Sequence, residues 1–183
     1  GPIALDYTHS DHVLGGTMPK NRTIQVYQFD ELEESAKAKA REWWLGGGLD
    51  YDWWDSVYED AANIGIKITG FDIDRGNYCE GELTTSPMES IDKILDNHGK
   101  DCETYKLALL YKPQFEALRE KELNTEDDLS GEHDELMEEY TYALREEYSS
   151  MLRKEYEYLT STECVDETIR ANEYEFLADG TRA

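Results

Sequence analysis

The sequence has few cysteines and no long apolar run. Cys79, Cys102 and Cys164 are an odd number without paired spacing, which excludes a disulfide framework and is typical of a reducing compartment. No run of apolar residues is long enough to span a bilayer, and no signal-peptide core is present. The sequence therefore predicts a cytosolic protein that does not enter a membrane.

Catalytic motifs are also lacking. The chain contains no phosphate-binding loop, no Gly-x-Ser-x-Gly, no His-Glu-x-x-His and no Cys-x-x-Cys. His98 and Cys102 are four residues apart, but two such residues match neither a zinc site nor a Cys–His nucleophile pair. We therefore expect neither an enzyme nor a bound cofactor.

Basic residues are scarce relative to acidic ones. The chain carries 18 Lys and Arg against 42 Asp and Glu, a formal net charge of −24. Such a chain repels nucleic acid and anionic membranes, and it suits basic protein surfaces. The alternative interpretation is that the acidity serves solubility alone.

The first residues resemble an expression tag. Gly1-Pro2 is the pair that a common viral protease leaves behind, so residues 1–17 are predicted to be a tag or linker remnant, with Met18 as the start. The alternative is a genuine but unusual N-terminus. The rest is predicted to form an α+β domain from residues 18–99 and 161–183, with residues 100–160 as a helical arm.

Alternating and helical periodicities define the expected elements. Four alternating segments predict a small antiparallel sheet of three to four strands packed by helices, and a phase slip at Gly70 indicates a β-bulge. Pro113 is expected to break or kink a helix at about Lys112, with the helix resuming after it. A long antiparallel helical pair is predicted in the C-terminal half. The predicted strands are 22–29, 66–74, 78–83 and 173–177, and the predicted helices are 30–45, 50–65, 86–99, 101–123, 132–159 and 161–171.

All four tryptophans lie within twelve positions. Trp43 and Trp54 fall on apolar helical stripes and are assigned to the core. Trp44 and Trp53 flank a glycine-rich loop and are candidate interface residues, since Trp is favoured at binding surfaces.

Four carboxylates cluster on a predicted hairpin. Asp72 and Asp74 share one strand face, as do Glu80 and Glu82. They are weak candidates for a magnesium or calcium site, because carboxylate oxygens are the preferred ligands of these ions. The alternative is a solvated strand face.

Residues 120–147 hold the densest negative charge, with twelve acidic and two basic residues and a local balance of −10. Carboxylates along a helix can imitate a row of nucleic-acid phosphates; the alternative is a solvated helix face. The predicted partner-binding residues here are Glu126, Asp127, Asp128, Glu132, Asp134, Glu135, Glu138 and Glu139.

Several motifs resemble a family of small acidic phage and prophage proteins, some of which carry an antitoxin-like label. The motifs lie at residues 27–32, 39–44, 50–54, 58–61, 70–76, 171–176 and 179–180. The resemblance covers essentially residues 18–182. It implies a mobile-element origin and the host cytoplasm, and it supplies no catalytic residues.

Three hypotheses follow from these patterns. The first is a phage inhibitor that binds a basic, nucleic-acid-handling defence protein such as a CRISPR or restriction component, with DNA mimicry as one mode. The second is an antitoxin-like neutraliser of a toxin. The third is a metal-binding protein or enzyme that uses the four hairpin carboxylates. The expected partner is a basic host protein, and neither nucleic acid nor a membrane is bound directly.

Overall fold

The computed structural model describes the backbone of residues 3–9 and the whole of residues 18–183. In chain order the elements are β1 (Ile3–His9), β2 (Lys20–Gln28), a 3₁₀ turn (Phe29–Glu31), α1 (Glu34–Leu45), α2 (Asp55–Asn63), β3 (Ile66–Asp72), β4 (Tyr78–Leu83), α3 (Pro87–Asn97), α4 (Glu103–Leu123), α5 (Ser130–Leu159), α6 (Thr162–Ala171) and β5 (Glu175–Phe176). The protein therefore mixes helices with small antiparallel sheets, as expected.

The contacts divide the chain into two compact units. Residues 1–52 and 157–183 form one, which we call the terminal unit, and residues 53–156 form the other, the central unit. This division differs from the expected one. The central core joins residues of β3 and β4 to residues of α4 and α5, so these helices share a core with the hairpin and do not form a separate arm.

In the terminal unit, β2 pairs antiparallel with both β1 and β5. β1 lies in the segment that was expected to be a tag or linker, whereas residues 1–2 and 10–17 of that segment lie outside the described residues. The core packs α1 against α6 around Phe29 and Phe176. The helix predicted for residues 30–45 begins later, since α1 starts at Glu34 and residues 29–31 form the 3₁₀ turn. Gln28 caps this turn, because its backbone amide donates to the Glu31 carboxylate at 3.0 Å.

In the central unit, β3 and β4 form the predicted hairpin. The register shifts between Ile68 and Gly70, which confirms the β-bulge. Asn77 lies at a φ of 48°, as the tight turn requires. The predicted start of a helix at residue 86 is also confirmed, since the Ser86 hydroxyl caps α3 by accepting the Glu89 amide at 3.2 Å.

The expectation of one sheet with three to four strands is wrong, because the strands form separate small sheets. β5 has two residues and pairs with β2 through Tyr27 and Phe176, while β3 pairs with β4. Alternation of apolar residues defines which face of a strand is buried, but it does not define which strand lies beside it.

The predicted helical pair is present, although Pro113 does not break α4. The Phe115 and Tyr140 rings are 5.8 Å apart, and Lys121 Nζ lies 3.3 Å from Glu132 Oε2, so α4 and α5 run antiparallel. Proline costs a helix one hydrogen bond to the carbonyl four residues earlier. That residue is Leu109, which is exposed, so water can satisfy its carbonyl group.

Gly180 provides a test of the terminal unit. It lies at a φ of 90°, and a Cβ there would collide with the Ala36 carbonyl oxygen of α1. Because both the backbone angle and the space require glycine, Gly180→Ala should lower the free energy of unfolding by about 2 kcal/mol. Urea denaturation followed by tryptophan fluorescence measures this change. Gly47→Ala is the matched control, since no atom lies within 4 Å of its added Cβ; equal stability losses would contradict the interpretation.

Candidate functional site

The rotation of α5 is fixed by one buried stripe. Tyr140, Leu144, Tyr148 and Leu152 recur every fourth residue and are all 0% exposed. They pack in the central core with residues of β3, β4, α3 and α4. Because residues four apart lie on one helix face, the opposite face of α5 is directed to solvent.

That opposite face is acidic, and we call it the acidic face. All its members are exposed, and by helical periodicity they lie within about 60° of Glu135 around the helix axis. No ion pair involves Glu135, Glu138 or Glu139 within residues 18–183. The acidic face comprises Glu132, Glu135, Glu138, Glu139, Tyr142 and Glu146.

The other predicted acidic contacts lie beside this face. Glu126, Asp127 and Asp128 are exposed in the loop before α5, and Asp134 is exposed on its first turns. Asp128 accepts the Ser130 amide at 3.0 Å, and this hydrogen bond lowers the pKa of the Asp128 carboxyl. Asp128 thus helps to fix where α5 begins.

Tyr142 is a functional candidate that the sequence interpretation missed. Its side chain is 57% exposed among the carboxylates, and the Arg145 guanidinium lies 5.9 Å from its ring centre. An exposed aromatic ring within a polar rim is typical of a binding hot spot. The signal was available, since Tyr142 lies seven residues after Glu135 and therefore shares its helix face.

The assignment of the first tryptophan pair was reversed. Trp44 is 6% exposed and belongs to the terminal core, whereas Trp43 is 40% exposed. The reason is spacing, because the buried stripe of α1 continues from Ala36 and Ala40 in steps of four and so reaches Trp44. Trp44 is therefore corrected from an interface residue to a core residue.

Trp53 and Trp54 are both half-buried in the central unit. The Trp53 ring centre lies 5.6 Å from those of Trp54 and Phe71, and 5.5 Å from that of Tyr156. It lines an open cavity of about 560 Å³ with the hairpin turn. Trp53 thus supports the hairpin and keeps one accessible edge.

The structure does not bring three of the four hairpin carboxylates together as ligands of one metal ion. Asp72 Oδ1 accepts the amides of Asp74 and Arg75 at 2.8 and 3.0 Å, and its pKa is lowered by the Arg75 and then the Asp74 hydrogen bond. Asp74, Glu80 and Glu82 are exposed. In the part of the chain that the structure describes, no three His, Cys, Asp or Glu side chains are placed to hold a metal ion. Asp72 therefore builds the turn.

A triad-like chain of side chains occurs elsewhere in the central unit. His98 Nδ1 lies 2.6 Å from Thr104 Oγ1, and His98 Nε2 lies 3.2 Å from Asp60 Oδ1. Tyr148 donates to Asp60 Oδ2 at 2.8 Å. Thr104 is 0% exposed, so no substrate can reach its hydroxyl group. This arrangement links α2, α3, α4 and α5 structurally.

Cys79 does not have the character of an activated nucleophile. Cys79, Cys102 and Cys164 are free thiols, and only Cys102 among them is exposed. Burial raises the pKa of the Cys79 thiol to about 11, which is opposite to the change that activates a nucleophile.

Comparisons with protein-family models, with curated proteins and with solved structures gave no match to this chain. Among the described residues, no helix is both long and apolar enough to cross a membrane. The resemblance to phage proteins stays a prediction, and the geometry of the surface is the basis for interpreting the site.

The Asp60 hydrogen bonds predict a pH effect. The His98 hydrogen bond, assisted by that of Tyr148, lowers the pKa of Asp60. Its contribution to stability is therefore complete above the unfolded pKa of about 3.9 and is lost as the pH falls through the folded value. When the pH is lowered from about 5 to about 3, the melting temperature of Asp60→Asn should therefore fall less than that of the wild type.

Thermal denaturation monitored by circular dichroism at the two pH values measures this loss. Asp92→Asn, an exposed carboxylate on α3, should behave as the wild type does. A loss in Asp60→Asn equal to that of the wild type would show that this carboxylate does not carry the effect.

Proposed function

We propose that this protein is a phage-encoded inhibitor that binds a basic surface of a bacterial defence protein in the host cytoplasm, through the acidic face of α5. The observation that carries the proposal is the continuous exposed row of carboxylates around Tyr142, directly opposite the buried stripe of α5. The resemblance of the sequence to small acidic phage proteins supports the choice of a defence protein as the target.

The charge density of α5 supports a partner that handles nucleic acid. Between Glu132 and Glu147 there are seven carboxylates and one basic residue, Arg145. Five of these seven carboxylates lie on the acidic face, which at a rise of about 1.5 Å per residue gives roughly one negative charge per 4–5 Å, of the same order as the spacing of about 3.4 Å on one DNA strand. A groove that binds phosphates would therefore meet a comparable row of charges, so DNA mimicry is the proposed mode.

The acidic face is also held in place before binding. Tyr140 and Tyr148 anchor α5 by ring packing and by hydrogen bonds to Ser90 and Asp60 at 2.7 and 2.8 Å. A preformed row of charges loses little conformational freedom on association, which favours affinity. Its single sign should also accelerate encounter with a basic partner, and salt should weaken that effect.

Charge reversal tests the proposed surface. Glu135→Lys, Glu138→Lys and Glu139→Lys together should abolish capture of a basic nucleic-acid-handling protein from host lysate, because they replace attraction with repulsion. The measurement is affinity capture with elution by a salt gradient and identification by mass spectrometry. The matched control is Asp74→Lys, Glu80→Lys and Glu82→Lys, which makes the same charge change on the hairpin.

The hairpin control distinguishes binding through one defined surface from binding that depends only on the overall negative charge of the protein. If the hairpin variant still captures the partner and the α5 variant does not, the result supports the acidic face as the binding surface. If both variants lose capture equally, the interaction depends on the net charge of the protein and not on a defined surface. If the α5 variant captures the partner as the wild type does, the proposal is refuted. Capture of a small toxin would favour the antitoxin-like alternative.

Tyr142 should act as the anchor of the same interface. Tyr142→Ala should weaken binding to the captured partner by about tenfold or more, mainly through faster dissociation, because exposed aromatic anchors dominate binding energy. Surface plasmon resonance with the purified partner measures this effect. Tyr78→Ala, which removes a 45% exposed tyrosine on the hairpin, should leave the dissociation rate unchanged. If both variants dissociate alike, Tyr142 is not an anchor.

A further inference from the structure

The terminal unit contains an aromatic cavity of about 500 Å³, which we call the aromatic slot. It does not include any residue of the acidic face. Its wall combines three large aromatic rings that are not fully buried with two glycines. The lining residues are Trp43, Trp44, Gly47, Gly48, Tyr51, Leu159, Thr168, Asn172 and Tyr174.

Three helix C-termini converge on the slot. α1 contributes Trp43 and Trp44 from its last turn, α5 contributes its final residue Leu159, and α6 contributes Thr168 and its C-cap Asn172. The C-terminal end of a helix carries a partial negative charge, which favours cations. No lysine or arginine is among the lining residues, and the cation that lies against the slot's rings is Arg182.

The rings of the slot are suited to cations as well. The Arg182 guanidinium lies 5.7 Å from the ring centre of Trp43 and 5.1 Å from that of Tyr174. It is held there by a 2.8 Å hydrogen bond to the Glu175 carbonyl oxygen. The molecule therefore already shows that these two rings accept a guanidinium, as expected from cation–π attraction.

One polar group completes the slot. The Asn172 side-chain amide donates to the Thr168 carbonyl oxygen at 2.8 Å. Asn172 lines the slot, and its side-chain oxygen keeps its capacity to accept a hydrogen bond. An acceptor beside aromatic rings and helix C-termini matches a planar cation with several N–H donors, which is the chemistry of arginine.

We propose that the aromatic slot binds the guanidinium of an arginine side chain that a partner protein presents. The chemistry of the slot stands independently of the acidic face, whereas the source of the arginine rests on the proposed function. The recognition of arginine is therefore tested first without any partner.

The probes are N-acetyl-arginine methylamide and its neutral isostere N-acetyl-citrulline methylamide. Titration of the full chain is followed by the indole N–H signals in NMR spectra, with that of Trp43 assigned through Trp43→Phe. The arginine probe should shift the Trp43 signal and bind at least about fivefold tighter than the citrulline probe. Equal affinities, or no shift with the arginine probe, would overturn the proposal.

Two variants at Gly47 place the binding in the slot. A Cβ at Gly47 meets no atom within 4 Å, so both variants should fold. Gly47→Lys brings a competing cation to the slot wall and should weaken the arginine probe more than Gly47→Ala does, since alanine adds no charge. Unchanged binding by Gly47→Lys would place the probe elsewhere and overturn the assignment.

The last step concerns the source of the arginine. With the partner captured through the acidic face, Gly47→Lys should lower its affinity relative to Gly47→Ala. If the arginine probe binds in the slot but both variants bind the partner with the same affinity, the partner does not supply the arginine. The charge-reversal result at the acidic face is independent of that outcome.

Discussion

The central unit depends on the hydrogen-bonded packing of Tyr140 on α5. The Ser90 hydroxyl donates to the Ile64 carbonyl at 2.7 Å and lies 2.7 Å from the Tyr140 hydroxyl, and all of these groups are buried. A buried hydroxyl group that lost its partner would cost about 1–3 kcal/mol. This contact thus fixes the rotation of α5 on the residues before β3, and the rotation decides which side chains face solvent.

Local signals in the sequence predicted the elements whose ends are capped by their own residues. The start of α3 at Ser86, the cap of α6 at Ser161 and the bulge at Gly70 each depend on residues within a few positions. Pairings that depend on distant residues were not predictable in this way. The union of β2 with β5 and the continuation of α4 through Pro113 are set by tertiary contacts and solvent exposure, which periodicity does not report.

In the candidate site, too, local patterns predicted some features, whereas contacts between distant residues determined others. The exposure of Glu135, Glu138 and Glu139 followed from helical periodicity. The choice between Trp43 and Trp44 required the spacing of the whole buried stripe, and the prediction reversed it. The aromatic slot could not be predicted, because α1, α5 and α6 bring together residues more than one hundred positions apart.

The clustering of like charge on α5 argues that its acidity serves binding as well as solubility. Glutamates three and four residues apart repel, at a cost of about 0.2–0.5 kcal/mol per pair. Solubility would be met as well by acidic and basic side chains mixed over the surface. Burial of each apolar side chain in the Tyr140–Leu152 stripe stabilises the fold by about 1.5–3 kcal/mol. Core packing therefore outweighs the repulsion between these glutamates. The basic partner proposed above would offset the repulsion among these carboxylates on binding, which gives the concentration of charge a role in that proposal.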